Sequence, residues 1–210
     1  MGLGAAGLIG MAPVAGEAVV EGRVTLPKLV AKPVTPPRYE NVPPAAIGRP
    51  EPPVAVVYLE GPTNVPVVRT NAVLTQQRLQ FTQGLLPIQV GTAVEFPNLD
   101  NQYHSVFSYS KPKRFDLGRY TQGENPPAQV FNQPGVVRLN CDIHQHMRAT
   151  ILVLDTPYFV RTDTNGMFRL SGLPAGQYTL KAWVEEKDVR SQTVTLTDGG
   201  TVTVNFGAQR

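Results

Sequence analysis

Short runs in which apolar and polar residues alternate recur along most of the chain, and Gly, Pro, Asn or Asp bounds most of them. This two-residue period is typical of half-buried strands, and no window sustains the 3.6-residue period of an amphipathic helix. The pattern therefore predicts an all-β protein. The predicted strands are 18–26, 54–60, 78–81, 85–90, 93–96, 104–109, 128–131, 135–140, 148–154, 158–162, 167–170, 176–185, 191–197 and 200–206.

The segments between these strands differ in character. Residues 28–53 are rich in proline, which removes backbone donors and predicts an extended or irregular loop. Residues 63–74 are interpreted as a connector, and 111–127 as a polar loop. In the strand 176–185, Trp183 falls on the face opposite Leu180 and Ala182. A large aromatic there indicates either cover by another element or an edge residue lying flat.

Composition agrees with this pattern and excludes some function classes. The 210 residues include 19 Gly and 20 Pro, and only 17% are charged, which favours strands and turns and allows one or two domains. The net charge is +3, and the basic residues are scattered, so nucleic-acid binding is not expected. No Ser-His-Asp set and no glycine-rich phosphate loop is found, and we do not expect an enzyme.

Residues 1–16 are small and apolar and resemble the apolar and cleavage regions of a signal peptide, although the basic start is missing. The alternative is an apolar leader without a targeting role. The segment is too short and too rich in glycine for a good transmembrane helix, and no other stretch is long and apolar enough to span a bilayer. We therefore predict an exported, periplasmic protein.

The candidate chemistry lies in residues 140–147, which hold the only cysteine and two of the three histidines. Type 1 copper sites use two His, one Cys and a weak axial Met. Cys141, His144 and Met147 lie in one short turn, and His104 lies upstream. Zinc accepts thiolate and imidazole ligands too, but a thioether is a poor zinc ligand, so the Met favours copper. Zinc, or a structural role without metal, remains the alternative.

Residues 76–156 resemble a cupredoxin. The resemblance depends on the strand pair at 86–98, on His104, and on the Cys-x-x-His-x-x-Met loop of amicyanin-like cupredoxins, which Cys141, His144 and Met147 match position by position. It implies a Greek-key sandwich with one mononuclear type 1 copper. Ser105 departs from the family, which often has Asn there.

A second histidine in the loop, His146, is the alternative ligand, in a competing Cys-x4-His arrangement. Four side chains are candidates for the surroundings of the ligands. Asn98 and Asp100 are placed to fix the His104 loop, and Ser105 is placed to hydrogen-bond toward Asp142. Ordinary turn chemistry would explain the same residues.

The C-terminal segment resembles the carboxypeptidase-regulatory-like domain, a transthyretin-like β-sandwich. The motif is residues 162–170 followed by 173–180, and the two strands that precede it in that family match 20–25 and 55–61. We therefore predict a discontinuous sandwich of 17–61 plus 158–207, with a cupredoxin domain at 62–157 inserted into it. In the alternative, the two domains follow each other and the first strands belong to the cupredoxin.

The pairing of the two resemblances is similar to bacterial periplasmic proteins labelled methylamine-utilisation-like. Together they imply a periplasmic one-electron carrier with a redox protein partner, such as a c-type cytochrome or a periplasmic or membrane oxidoreductase. Two alternatives are a protein that sequesters copper without electron-transfer turnover, and a structural β-module with a vestigial site. The basic residues Lys111, Lys113 and Arg114 are candidates for steering an acidic partner.

Overall fold

The computed structural model describes residues 17–28, 48–49, 51–60 and 70–208. The predicted leader, most of the proline-rich segment and residues 61–69 lie outside them. Within the described residues all regular structure is β. The strands are β1 (Ala18–Val24), β2 (Val56–Glu60), β3 (Asn71–Val73), β4 (Leu85–Gln89), β5 (Ala93–Glu95), β6 (His104–Ser110), β7 (Lys113–Tyr120), β8 (Gln129–Val130), β9 (Gly135–Asn140), β10 (Arg148–Leu154), β11 (Phe159–Arg161), β12 (Met167–Leu173), β13 (Gly176–Glu185), β14 (Asp188–Leu196) and β15 (Thr201–Phe206).

The predicted fold class is confirmed, since the described chain is built from β-sheets packed as sandwiches. The strands form four sheets, in the orders β12-β1-β15, β11-β2-β13-β14, β4-β10-β9-β6-β7 and β3-β5-β8. The first two sheets enclose one apolar cluster, and we call this unit the flanking sandwich. The last two enclose a second cluster and form the central sandwich. No helix in the described segments is long and apolar enough to cross a membrane.

The flanking sandwich joins distant parts of the chain. Strand β1 pairs with β12 and, in parallel, with β15, while β2 lies between β11 and β13. At Gly22 a Cβ would lie 1.8 Å from the carbonyl oxygen of Val204, so only glycine permits this close parallel pairing. The domain limits near residues 61 and 158 stay a prediction, because 61–69 are not described.

The face of β13 that carries Trp183 packs against the central sandwich. Trp183 is only 8% exposed, and it shares an apolar cluster with Val54 and Val56 on its own side and with Leu85, Leu152 and Leu154 of β4 and β10 on the other. We call this cluster the interface. Of the two sequence interpretations of Trp183, cover by another element is the one observed.

Two ion pairs accompany this cluster. Arg161 of β11 pairs with Glu51, whose other carboxylate oxygen accepts a hydrogen bond from the amide of Gly84, just before β4. Arg138 of β9 pairs with Glu186, in the turn after β13. The two sandwiches are therefore joined by apolar packing and by polar contacts.

Two of the predicted elements are wrong. Residues 78–81 do not form a strand, because Arg78 and Leu79 have positive φ angles of 57° and 56° and lie in a tight turn. The predicted polar loop 111–127 contains β7, an edge strand. Its outward residues are polar, and they concealed the alternation with the inward residues. The inward residues Phe115 and Leu117 pack against the core of the central sandwich. The short strand β3 was also missed, inside the predicted connector.

Candidate metal centre

Three metal-ligating side chains meet at one end of the central sandwich. One ligand atom from each of His104, Cys141 and His144 lies within 4.8 Å of the other two, and all three residues are buried. Nδ1 of His104 lies 2.9 Å from Nδ1 of His144, and Sγ of Cys141 lies 3.8 Å from the same His144 atom. A soft thiolate and two imidazoles thus converge where water has little access.

The sheet explains why residues far apart in sequence meet. His104 begins β6, Cys141 directly follows β9, and these strands are neighbours in the five-stranded sheet, where Phe107 pairs with Asn140. The chain then turns through residues 141–147 before β10 begins. A hydrogen bond of 2.8 Å from the amide of Met147 to the carbonyl of His144 closes this turn. We call residues 141–147 the ligand loop.

The structure separates the two histidines of the ligand loop. His144 lies in the three-residue group, whereas Nε2 of His146 is 2.8 Å from the carbonyl oxygen of Leu79. The two rings are 6.3 Å apart, centroid to centroid. Met147 is fully buried and belongs to the same apolar cluster as Cys141. Its burial in that cluster is compatible with the weak axial ligand that the sequence motif predicts.

Asp100 and Asn98 hold His104 from the side opposite the ligand group. Oδ2 of Asp100 is 2.9 Å from Nε2 of His104. Asn98 accepts a hydrogen bond from the amide of Asp100 and donates two, to the carbonyls of Gln102 and Tyr120. Because an ionised carboxylate only accepts hydrogen bonds, Nε2 of His104 donates to Asp100, and Nδ1 faces the site.

Asp100 is itself anchored by a turn that the sequence prediction missed. The amides of Arg78 and Leu79 donate to its two carboxylate oxygens over 2.6 and 2.8 Å. Burial raises the pKa of Asp100, but the hydrogen bonds from Leu79, His104 and Arg78 outweigh it and bring the pKa below its ordinary value. No motif marks residues 78 and 79, and their alternation is that of a strand, so no local signal predicts the turn.

Ser105 and Asp142 connect β6 to the ligand loop. The hydroxyl of Ser105 donates to Asp142 over 2.7 Å and accepts from the amide of Asp142 over 2.9 Å. The amide of Ser105 points at Sγ of Cys141, 3.4 Å away. Arg119, which pairs with Ser105 across the strands, forms an exposed ion pair with Asp142. Sequence reasoning placed Ser105 and Asp142 near the site but did not identify Arg119.

The surroundings favour the forms of Cys141 and His144 that bind metals. Burial raises the pKa of the Cys141 thiol, but hydrogen bonds, led by that of His104 and then that of the Ser105 amide, outweigh it and the pKa is lowered. Burial lowers the pKa of His144, so its ring is neutral at neutral pH. A thiolate and neutral imidazoles are the ligating forms of these side chains.

The three residues fit a soft metal ion of low coordination number. They converge at one point, are buried, and are held from behind by Asp100 and Ser105, as ligating side chains usually are. Two His and one Cys with a buried Met nearby is the ligand chemistry of copper electron-transfer sites. His104, Cys141, His144 and Met147 are the residues that would hold the ion.

The basic residues proposed to steer a partner lie away from this centre. Arg114 pairs with Tyr109 and Lys113 with Ser110, whereas Tyr120 pairs with His104 at the other end of the same two strands. Five residues separate His104 from Tyr109, which corresponds to about 17 Å along a strand. Lys111 lies in the turn beyond them. This group therefore marks the end of the β6–β7 hairpin that is remote from the metal centre.

Comparisons with known proteins agree with two resemblances expected from the sequence. The family model of the carboxypeptidase regulatory-like domain matches residues 146–209. Among solved structures, similarity is found to a copper-containing nitrite reductase from Thermus scotoductus SA-01, with 26% identity and a TM-score of 0.38. Similarity is also found to an amicyanin variant in the Cu(I) state, with 18% identity and a TM-score of 0.36.

These structural similarities are partial. The nitrite reductase match covers 40% of this chain and 22% of the reductase, so the chain spans about a fifth of that enzyme's length. The amicyanin match covers 39% of this chain and 80% of amicyanin. No curated protein matches the sequence. The C-terminal part of this chain, residues 146–209, is thus similar to the carboxypeptidase regulatory-like domain, and about two fifths of the chain is similar to cupredoxins.

Proposed function

We propose that this protein is a periplasmic type 1 copper protein that acts as a one-electron carrier. The observation that carries the proposal is the convergence of His104, Cys141 and His144 in a buried group with their ligand atoms within 4.8 Å. Met147, buried in the same core, would complete the set of residues that hold the ion. Copper, when bound, supplies a couple between Cu(II) and Cu(I).

The residues of the chain hold the ligands in place independently of the ion. Asp100 fixes the ring of His104, and the amide of Ser105 points at the sulfur of Cys141. The hydrogen bond between Met147 and His144 sets the shape of the ligand loop. These bonds would limit the movement of the ligand side chains when a bound copper ion changed oxidation state, which would favour rapid electron transfer.

The proposed ligand set leaves no position for a substrate, so we expect electron transfer without catalytic turnover. His144, 9% exposed, is the most exposed of the three buried residues, while His104 is fully buried. We infer that a redox partner, such as a c-type cytochrome or a periplasmic or membrane oxidoreductase, approaches the end of the central sandwich that carries His144.

Titration of the purified, metal-free protein with Cu(II) tests the proposal. We expect an intense thiolate-to-copper absorption band and an EPR spectrum with the small copper hyperfine splitting of a type 1 site. Cys141→Ala and His144→Ala should both abolish the band. His146→Ala removes the other histidine of the same loop, and it should keep the band at saturating copper, because His146 is not a proposed ligand. A band that survives in Cys141→Ala would refute the site.

Stopped-flow reduction of the copper-loaded protein by a c-type cytochrome separates the carrier from the sequestering alternative. A carrier should be reduced rapidly. The observed rate constant of its reduction should rise with cytochrome concentration, either linearly or to a plateau. Tight copper binding without measurable exchange with any c-type cytochrome or membrane oxidoreductase preparation would instead indicate sequestration. If Cys141→Ser protein fully replaced the parent protein in the cell, the protein would be a structural module that does not need the metal centre.

A further inference from the structure

The turn formed by residues 77–80 contacts both halves of the metal centre. It is closed by hydrogen bonds between Gln77 and Gln80 in both directions, and Gly48 donates to the carbonyl of Arg78. Arg78 and Leu79 both have left-handed backbone conformations, which are unfavourable for residues other than glycine. Such conformations persist where the surroundings hold them, and they cluster at functional sites.

Two separate contacts leave this turn toward the ligands. The amides of Arg78 and Leu79 hold Asp100, which in turn holds His104. The carbonyl of Leu79 accepts a hydrogen bond of 2.8 Å from Nε2 of His146. Because a carbonyl can only accept, Nε2 of His146 must carry a proton in this contact. The 77–80 turn thus holds His104 through Asp100 and holds the ligand loop through His146.

We propose that His146 is a positioning residue, which fastens the ligand loop to the 77–80 turn and thereby fixes His144 and Met147 relative to His104. The proposal rests on the proposed copper site for its role in metal binding, but the fastening itself is a property of the metal-free chain. His146 lies between His144 and Met147 in the ligand loop, so a bond at its ring restrains both of these residues.

This role explains why the loop carries one histidine more than the site uses. A ligand loop of seven residues is closed internally by the bond from Met147 to His144, but that bond does not attach the loop to the rest of the sandwich. The contact with Leu79 attaches it at a second point, in addition to the bonds between Ser105 and Asp142. Bonds that orient ligands in this way typically change metal affinity by about 10- to 100-fold when they are lost.

Two variants separate the hydrogen bond from the packing of the ring. His146→Phe keeps an aromatic ring but removes the donor. His146→Gln places an amide N–H near the position of Nε2 and should restore the bond. We expect copper release from His146→Phe to be about tenfold faster than from the parent protein, with an altered EPR hyperfine splitting, and His146→Gln to be close to the parent in both.

Hydrogen exchange in the metal-free protein gives a readout that does not depend on copper. The amide of Met147 should exchange about tenfold faster in His146→Phe, which corresponds to about 1.4 kcal/mol, and at the parent rate in His146→Gln. If the parent protein binds no copper, the proposed function fails while this measurement still decides the role of His146. If His146→Phe does not fold, His146→Asn, whose amide is one bond too short, replaces it.

Three results would overturn the proposal. Unchanged exchange and unchanged copper release in His146→Phe would show that the bond holds nothing. A loss in His146→Gln together with parent-like behaviour of His146→Phe would show that only the ring packing matters. A charge-transfer band that survives in His144→Ala but disappears in His146→Gln would make His146 the ligand.

Discussion

The metal centre and the interface between the two sandwiches are both buried, but by different means. The metal centre buries polar groups, such as His104 and Ser105, and each is held by directional hydrogen bonds. The interface buries Trp183, Leu152 and their neighbours, whose apolar contacts have no preferred direction. The charges of Glu51 and Arg161, which accompany this cluster, are paired with each other. Both regions use the same five-stranded sheet, in which β10 carries Leu152 of the interface and β6 carries His104 of the metal centre.

The two regions control different properties, because one fixes the positions of ligand atoms and the other contributes mainly to stability. Directional bonds determine where an atom lies, and their net contribution to stability is small, about 1 kcal/mol each. Apolar packing contributes more free energy for each residue but specifies positions less narrowly. We therefore expect substitutions in the interface to change stability and leave the ligands in place. Substitutions around the metal centre should change metal binding more than stability. Single substitutions in each region can test whether stability and metal binding change independently.

Trp183→Ala should have the largest effect on stability. It removes the main side chain of the interface, and large-to-small changes of buried aromatics cost about 3–5 kcal/mol. Urea denaturation followed by circular dichroism measures the loss, and the copper charge-transfer band should be unchanged. Val73→Ala, at an exposed position of β3 outside the interface, is the control and should change stability little. Loss of the band in Trp183→Ala would show that the interface and the metal centre are coupled.

Asp100→Asn should affect both properties, with metal binding changed more. The carboxylate accepts bonds from Arg78, Leu79 and His104, and an amide can accept only some of them. We expect a loss of about 1–3 kcal/mol in unfolding free energy and about 10- to 100-fold weaker copper binding. Chemical denaturation and competition with a copper chelator measure the two effects. Asp198→Asn, in an exposed turn, is the control.

Ser105→Ala should have a smaller effect, of about 1 kcal/mol, because it removes the hydroxyl that links β6 to Asp142. The amide of Ser105 still points at Cys141, so the copper band should remain. Thermal unfolding of the metal-free protein measures the change, and Ser191→Ala on the exposed side of β14 serves as the reference. If the two serine variants are equally stable, the link between β6 and the loop contributes nothing.

The interface should also weaken in alkaline solution through Tyr58, which packs against it. Burial raises the pKa of Tyr58 above its ordinary value of 10.0, and the nearby Lys181 offsets only part of this increase. The unfolded chain therefore ionises first, and the stability contributed by Tyr58 is full below pH 10 and lost as the pH rises through the folded pKa. Denaturation at neutral and alkaline pH should show a smaller pH dependence in Tyr58→Phe. If the pH dependence of stability were the same in Tyr58→Phe and in the parent protein, it would not come from the ionisation of Tyr58.

Much of the fold could be predicted because its signals are local. Alternation located most strands within two residues, and glycine and proline marked their ends. The errors arise where long-range contacts override the local signal. Residues 78–81 have apolar and polar residues in a strand-like order, but the Asp100 carboxylate holds two of their amides in a turn. In β7, polar residues on an exposed edge concealed the inward Phe115 and Leu117.

The candidate site shows the same division between local and distant information. The spacing of Cys141, His144 and Met147 in one turn, with His104 upstream, was sufficient to predict a copper site, because ligand chemistry depends on residue type. The spacing could not distinguish His144 from His146, since both lie within reach of a flexible loop. In the structure His144 joins the group because the carbonyl of Leu79 engages His146.

Periodicity and residue chemistry are properties of the chain, so the all-β class, the candidate ligands and the two resemblances could be predicted without a structure. Three further points depend on the folded structure. It showed that the central sandwich covers Trp183, that the 77–80 turn holds Asp100, and that His146 lies apart from the ligand group. Each depends on contacts between residues at least 20 positions apart, which a folded backbone brings together and no local pattern encodes.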